Sequence, residues 1–280
     1  MSIELPEAHI LSTQMRKVLV GKVIQAYDLQ NCQSLQKIGC VNKDASAFNN
    51  LVGGKVVSVV SRGNVIVVKL SNEWNLVLAP EYGGILRFHK NEESLPKKLH
   101  IKLGFQDGTA LTVSLTGLGC IQAVAVADLP NNYMYKRDFS KNVSPLDAKT
   151  FTLERFLTDL AAKTVNVKAA LVGKDAVLVG VSNSAFQDVI YRAKVHPKRN
   201  VSSLSNTEKT ALYKAITHLV HERIQKGGKD NFVDLYGKQG TYTPEMGPNM
   251  KNQNCPVCKA KIEKISHGGG QVYLCPTCQK

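Results

Sequence analysis

The chain ends in two cysteine knuckles. Cys255-Pro256-Val257-Cys258 is followed by sixteen residues and then Cys275-Pro276-Thr277-Cys278. Each Cys-x-x-Cys bends the backbone so that two thiolates face one point, and two such knuckles at this separation match the tetrahedral demand of a single Zn2+ ion. The intervening residues 259–274 are long enough for a hairpin, with Gly268-Gly269-Gly270 at its tip. Four sulfurs complete the coordination shell. His267 is therefore not needed as a ligand, and the one zinc expected here is structural. The remaining cysteines, Cys32, Cys40 and Cys120, are scattered and bring the count to seven. An odd, unevenly spaced set argues for a reducing compartment rather than a disulfide framework. The corresponding expectation is a cytoplasmic protein, nucleoid-associated if the host is bacterial. Cys120, beside Ile121, reads as a small core residue.

Charge narrows the partner. The formal net charge is +14. Residues 1–140 carry 15 Lys/Arg against 11 Asp/Glu, and residues 141–280 carry 21 against 11, so the excess is +4 in the first half and +10 in the second. A basic excess concentrated in one half points to a polyanion. Lys259, Lys261 and Lys264 add positive charge to the zinc hairpin. No run of 18 apolar residues marks a membrane span. Met1-Ser2-Ile3-Glu4 does not open like a secretory signal. The chain is expected to act as a monomer away from membranes.

The first half reads as strands. Residues 56–60, 65–70, 76–78, 101–105, 111–115 and 121–126 are β-branched or alternating, and Arg62-Gly63-Asn64, Ser71-Asn72 and Gln106-Asp107-Gly108 punctuate them as turns. A helix from about Pro6 to Val20 precedes them, with Ala8, Leu11, Met15, Val18 and Leu19 on its apolar face. After the polar stretch 131–145 the period becomes helical. Leu153, Phe156, Leu157 and Leu160 share a face, and Ser205-Asn206-Thr207-Glu208 opens a last long helix as a capping box. The fold class is α+β. An N-terminal helix and antiparallel β-sandwich (1–130) are followed by a linker (131–145), a helical domain (146–250) and the zinc ribbon (251–280).

Asn183 is placed to start a helix, whose free N–H groups form a ready anion site. The loop after that helix carries Lys194, His196, Pro197, Lys198 and Arg199. A helix, a basic loop and a second helix make a phosphate clamp; an ordinary helical hairpin begun by Asn183 has the same pattern.

Together these features resemble the formamidopyrimidine-DNA glycosylase / endonuclease VIII family over nearly the whole chain. The residues that carry the resemblance are Glu4-Leu5-Pro6-Glu7, residues 179–183 with Arg192-Ala193-Lys194-Val195-His196-Pro197 (a helix–two-turn–helix segment), Gly227-Gly228-Lys229-Asp230, Tyr236-Gly237-Lys238 and the cysteine ribbon ending in Cys278-Gln279. The resemblance implies base excision repair. Such proteins flip a damaged nucleotide out of duplex DNA, attack its sugar with an N-terminal amine to form a Schiff base, and cleave the strand at the abasic (AP) site by elimination. The implied partner is double-stranded DNA, damaged or abasic. The implied roles are an amine from Ser2 or Met1, proton transfer by Glu4, stacking by Tyr82, and phosphate contacts by Asn183, Lys198, Arg199 and Lys238.

The chain departs from the family pattern at several of these places. Ile3 stands where the family has its nucleophilic proline, so a Ser2 amine lies one residue, about 3.3–3.6 Å, further out along an extended chain. Asn64 follows Arg62-Gly63 where many members carry lysine. Gly270 occupies the place of the arginine in the zinc hairpin, and Thr116-Gly117-Leu118-Gly119 lacks the expected paired arginines. Three readings follow: a divergent glycosylase with lyase activity, a DNA-binding relative without catalysis, or an RNA- or ribosome-associated protein, against which the Glu4-Leu5-Pro6-Glu7 opening argues.

Overall fold

Helix α1 (Leu5–Leu19) begins at the Leu5-Pro6 pair, where proline's fixed φ and missing N–H cost nothing. Glu7 reaches back one turn, and the backbone N–H of Glu4 donates to its Oε2 at 3.1 Å. Ala8, Leu11, Met15 and Leu19 form the buried stripe. The computed structural model describes residues 3–91, 95–117, 119–140, 143–173 and 176–280. The chain divides into two units, Met1–Ser140 with Lys226–Thr241, and Lys141–Gln225 with Tyr242–Lys280.

The first unit holds two four-stranded antiparallel sheets and, between their strands in sequence, a short helix α2 (Gln33–Lys37). One has the order β1 (Ile24–Leu29), β6 (Ile101–Phe105), β7 (Ala110–Leu115), β5 (Gly84–His89), and the other β2 (Val56–Arg62), β3 (Val65–Leu70), β4 (Trp74–Ala79), β8 (Cys120–Ala125). Their inward residues interdigitate in one core with α1: Leu86, Leu103, Leu111 and Val113 from the first sheet, Ile66, Val68, Leu76 and Leu78 from the second. The second sheet is buried on its other face too. There Val65, Val67, Val77 and Ala79 pack with Met134, Tyr135 and Phe139 of helix α3 (Tyr133–Phe139). Burial on both faces explains why residues 65–68 of β3 form an unbroken apolar run instead of alternating. Cys120 sits in this second cluster as a small core residue. The β6–β7 hairpin turns at Gly108, at φ +78°, with Asp107 accepting from the Thr109 N–H at 3.1 Å.

The two compact units divide the chain at other points than the sequence does. The stretch 131–145 is not a bare linker, because α3 lies inside it and the unit boundary follows Ser140. Lys226–Thr241, grouped by sequence with the helical domain, belongs to the first unit. The reason is apolar burial: Phe232 and Leu235 enter the first core, and the Phe88 N–H donates to the Leu235 carbonyl at 3.1 Å.

In the second unit, α4 (Leu153–Ala161), α5 (Val167–Leu171), α6 (Asn183–Arg192) and α7 (Asn206–Gln225) accompany the zinc hairpin β9 (Glu263–His267) and β10 (Gly270–Leu274). The capping box at α7 is formed. The Ser205 N–H donates to Glu208 Oε2 at 2.8 Å, and the Glu208 N–H donates to Ser205 Oγ at 3.2 Å. The ribbon is not a separate body: Tyr191 of α6 shares a buried cluster with Met246, Cys255, Ile262, Tyr273 and Cys275.

Candidate active site and nucleic-acid interface

Glu4 sits immediately before α1 and is 0% exposed. A buried carboxylate needs partners to stay charged. Lys229, itself 3% exposed, places Nζ 3.3 Å from Glu4 Oε2. The backbone N–H of Lys229 donates to Glu7 Oε1 at 3.2 Å, so both family-like carboxylates at the chain start hold the same residue. Gly228 makes this approach possible. It adopts φ +94°, and a Cβ there would lie 2.4 Å from the Phe232 ring. Lys229 was legible only as part of Gly227-Gly228-Lys229-Asp230; nothing in the sequence pairs it with Glu4.

Ile3, in the position of the family's nucleophile, is buried in the core, and its backbone N–H donates to the Glu81 carbonyl at 3.1 Å. It offers an amide, not an amine. Ser2, the expected source of the amine, lies outside the described residues. Around the Glu81 loop stands a charged cluster. Arg137 contacts the Glu81 carboxylate at 2.5 Å and Asp138 Oδ1 at 2.7 Å, and Asp138 Oδ2 accepts from the Asn64 N–H at 2.9 Å. Two carboxylates and three hydrogen bonds hold the guanidinium protonated and push its pKa up, although burial alone would lower it. Tyr82 follows Glu81 and is 65% exposed, with its ring available for stacking. Its backbone packs so close to Gly117 that a Cβ there would lie 2.6 Å from the Tyr82 carbonyl. Lys238, in the same unit, is exposed at a tight turn in which its N–H donates to Asp234 Oδ1 at 2.8 Å.

In the second unit Asn183 is the first residue of α6. Its Nδ2 donates to the Gln271 carbonyl of the zinc hairpin at 2.9 Å. Gln187, one turn on, accepts from the Tyr273 N–H at 2.7 Å, so α6 and the hairpin are fixed to each other. Lys168 is buried and donates to the His267 carbonyl at 2.5 Å. Burial pushes its ammonium value down. Sequence reasoning missed both Gln187 and Lys168, since no motif marks them. Lys198 is exposed in the basic loop. Arg199 is engaged: it donates to Glu208 Oε1 at 3.0 Å, to the Ser203 carbonyl at 2.7 Å and to the Lys280 carbonyl at 3.0 Å.

The four knuckle cysteines converge. Their sulfurs all lie within 4.8 Å of one another, with Cys255 and Cys278 at 3.8 Å and Cys258 and Cys275 at 3.3 Å. A ZnS4 tetrahedron with bonds of about 2.3 Å has edges of about 3.8 Å, whereas a disulfide needs about 2.05 Å. The donor set fits zinc. The Tyr191 hydroxyl lies 3.4 Å from Cys255 Sγ, as an outer hydrogen bond that orients a ligand.

Comparison with known proteins agrees along the chain. Residues 3–115 match the formamidopyrimidine-DNA glycosylase N-terminal domain, residues 143–233 its H2TH domain, and residues 252–280 the zinc finger found in FPG and IleRS. The chain belongs to the formamidopyrimidine-DNA glycosylase family. It is 26% identical over 284 residues to the formamidopyrimidine-DNA glycosylase of Listeria innocua, covering 99% of both chains. It is 24% identical over 286 residues to that of Cytobacillus firmus, again covering 99% of both. The fold is shared with the Lactococcus lactis Fpg in complex with abasic-site DNA, at TM-score 0.84 and 20% identity over 99% of each chain. A second complex of that Fpg, with DNA containing N7-benzyl-Fapy-dG, gives TM-score 0.84 and 21% identity over 99% of each chain. Among formamidopyrimidine-DNA glycosylase features, the end-to-end match retains the order of all three family segments, including the four-cysteine ribbon. Among the described residues, no helix is long and apolar enough to cross a membrane.

Proposed function

We infer that this protein is a DNA glycosylase with abasic-site lyase activity, acting on damaged duplex DNA in base excision repair. The observation that carries the reading is the Glu4 carboxylate. It is buried at the chain start, paired with Lys229, and set in a chain that follows its glycosylase family from end to end.

The chemistry asks for two groups. A neutral terminal amine attacks C1′ of the damaged nucleotide; the C1′–base bond breaks, and the base leaves with a proton. The aminal so formed opens as its C1′–O4′ bond breaks and O4′ takes up a proton, and the resulting iminium makes the C2′ hydrogen acidic. Loss of that proton expels the 3′ phosphate by breaking the C3′–O bond. Ser2, or Met1 if it is retained, supplies the amine, because Ile3 has only its backbone amide. Glu4 moves protons, with the Lys229 ammonium 3.3 Å from its Oε2. Tyr82 stacks in the gap left by the flipped nucleotide, where an aromatic face contributes about 1–3 kcal/mol. Asn183 and Lys198 contact phosphates, with Lys238 and Arg199 adding positive charge. The zinc ribbon supports Asn183 through Gln271.

Borohydride trapping on a duplex with one abasic site tests the reading. A covalent protein–DNA band, mapped by peptide mass to Ser2 or Met1, is the expected result. Tight binding without a band would leave a DNA-binding relative that lacks the lyase step.

A further inference from the structure

The outer face of the first sheet carries a cavity of about 990 Å3 that the repair chemistry does not use. Its floor is polar and buried. His89 of β5 and Thr112 of β7 are 6% and 1% exposed, and His89 Nε2 lies 2.9 Å from Thr112 Oγ1. Arg87, two residues before His89 and on the same face of β5, adds a guanidinium, and Lys97, Lys98 and His100 close one side. Apolar surface from Ile85, Leu99 and Leu115 forms the rest of the wall. No carboxylate lines the cavity among the described residues.

The wall is built, not incidental. The Ser114 hydroxyl donates to the Lys98 carbonyl at 2.8 Å, and the Leu115 N–H donates to His100 Nδ1 at 3.0 Å. These bonds fix the segment that carries both lysines against β7. Arg87 is fixed too: its Nη1 lies 3.4 Å from the Asp234 carbonyl, and a Cβ at Gly237 would come within 2.4 Å of the guanidinium.

We propose that this cavity binds a phosphate monoester whose organic part lies against the apolar wall. Arg87, Lys97 and Lys98, with no lining carboxylate among the described residues, complement a dianion better than the single charge of a phosphodiester, and a monoester carries about −1.5 to −2 at pH 7. The volume is at the upper end of the range for small-molecule sites, about 300–1,000 Å3, and far exceeds what inorganic phosphate fills. Two sources present this chemistry: a free nucleoside monophosphate, and the terminal phosphate of a broken DNA strand. The second rests on the repair reading; the first does not.

The test uses the full-length protein and the variant Lys97→Ala/Lys98→Ala, whose two side chains are exposed and whose melting temperature should stay unchanged. Calorimetric titration with deoxyadenosine monophosphate, deoxyadenosine and inorganic phosphate forms the first arm. Nicked duplexes ending in a 5′-phosphate or a 5′-hydroxyl at the nick, with an intact duplex as reference, form the second. The proposal expects binding that depends on the phosphate, falls at least about tenfold in the variant, and shifts the His89 and His100 imidazole resonances. Dependence in the first arm assigns a free nucleotide; dependence in the second alone assigns a strand end. Equal affinity with and without the phosphate in both arms, or equal affinity in wild type and variant, overturns it. Covalent trapping on abasic DNA is scored separately, so loss of lyase activity does not count against the cavity.

Discussion

Lys229 and Glu4 are 225 residues apart in sequence, and their charged groups meet at 3.3 Å with almost no exposure to solvent. The pair fastens the return segment Lys226–Thr241 onto the start of α1. It therefore links stability and chemistry at one carboxylate, and the two can be separated. Glu4→Gln should lower trapping on abasic DNA by about 10²–10⁴-fold, the usual contribution of a positioned proton-transfer group. It should also lower the melting temperature, because removing one partner of a buried ion pair costs about 3–5 kcal/mol. The double variant Glu4→Gln/Lys229→Met should recover much of the stability and none of the trapping. Recovery of both would make Glu4 a structural anchor.

The turn between β2 and β3 makes a second prediction. Gly63 has φ +55°, and a Cβ there would lie 2.4 Å from Asp138 Oδ2. Asp138 in turn holds the Asn64 N–H and Arg137. Gly63→Ala must strain a left-handed backbone, at about 1–2 kcal/mol, and also displace that carboxylate. Thermal unfolding should shift down by at least about 2–4 °C. An unchanged melting curve would show that Asp138 moves aside freely.

Acid sensitivity should begin above the carboxylate range. Burial is the first cause lowering the imidazole values of His9, His89, His100, His196 and His267, with Arg16, Arg87, Lys198 and Lys168 adding to the effect at His9, His89, His196 and His267 respectively. Above pH ~6.5 folded and unfolded states both hold these rings neutral, and their contribution to stability is complete. As pH falls below that value the unfolded chain takes up protons that the folded chain resists, so stability declines until the folded values are passed. Calorimetry at pH 7.5, 6.5 and 5.5 should show a falling melting temperature. A flat profile over that interval would mean that these rings protonate in place.

How much of this was readable in the chain depends on whether a contact is local. Helix α1, the β6–β7 turn at Asp107-Gly108, the capping box at Ser205 and Glu208, and the zinc knuckles all carry their signals within a few residues. The two strands without a clear signal, β1 and β5, are the edges of one sheet. Ile24-Gln25-Ala26-Tyr27-Asp28-Leu29 has one buried residue, and β5 places Arg87 and His89 outward, so neither offers a clean apolar face. The pairing of Lys229 with Glu4, and of Phe232 with the first core, has no local cause at all. Both depend on a chain that returns to its first unit after α7.

The zinc ribbon should fail in graded steps. Cys275→Ser removes a ligand, and zinc content, the fold of the hairpin and DNA affinity should fall together, since metal binding is folding free energy here. Tyr191→Phe removes only the hydroxyl 3.4 Å from Cys255 Sγ. Zinc should be retained with affinity reduced about 10–100-fold, as for other outer-shell losses. Competition with a colorimetric chelator measures both. Equal zinc affinity in Tyr191→Phe and wild type would remove the tyrosine from the site.

Lys198 and Arg199 are adjacent in sequence and should behave differently when truncated. Lys198 is exposed, and a lysine that contacts phosphate contributes chiefly through counterion release. Lys198→Ala should weaken duplex binding uniformly across sequences and reduce the salt slope of log K by about 1, with the melting temperature unchanged. Arg199 joins the α7 cap at Glu208, the Ser203 carbonyl and the chain's final residue, Lys280. Arg199→Ala leaves the Ser203 and Lys280 carbonyls without this donor and loosens the Glu208 cap, so the second unit should lose about 1–3 kcal/mol of stability before any effect on DNA is counted. Binding isotherms from 50 to 200 mM salt, read beside melting curves, separate the two. A salt slope that changes for Arg199→Ala at constant melting temperature would place its guanidinium on the DNA backbone rather than in the fold.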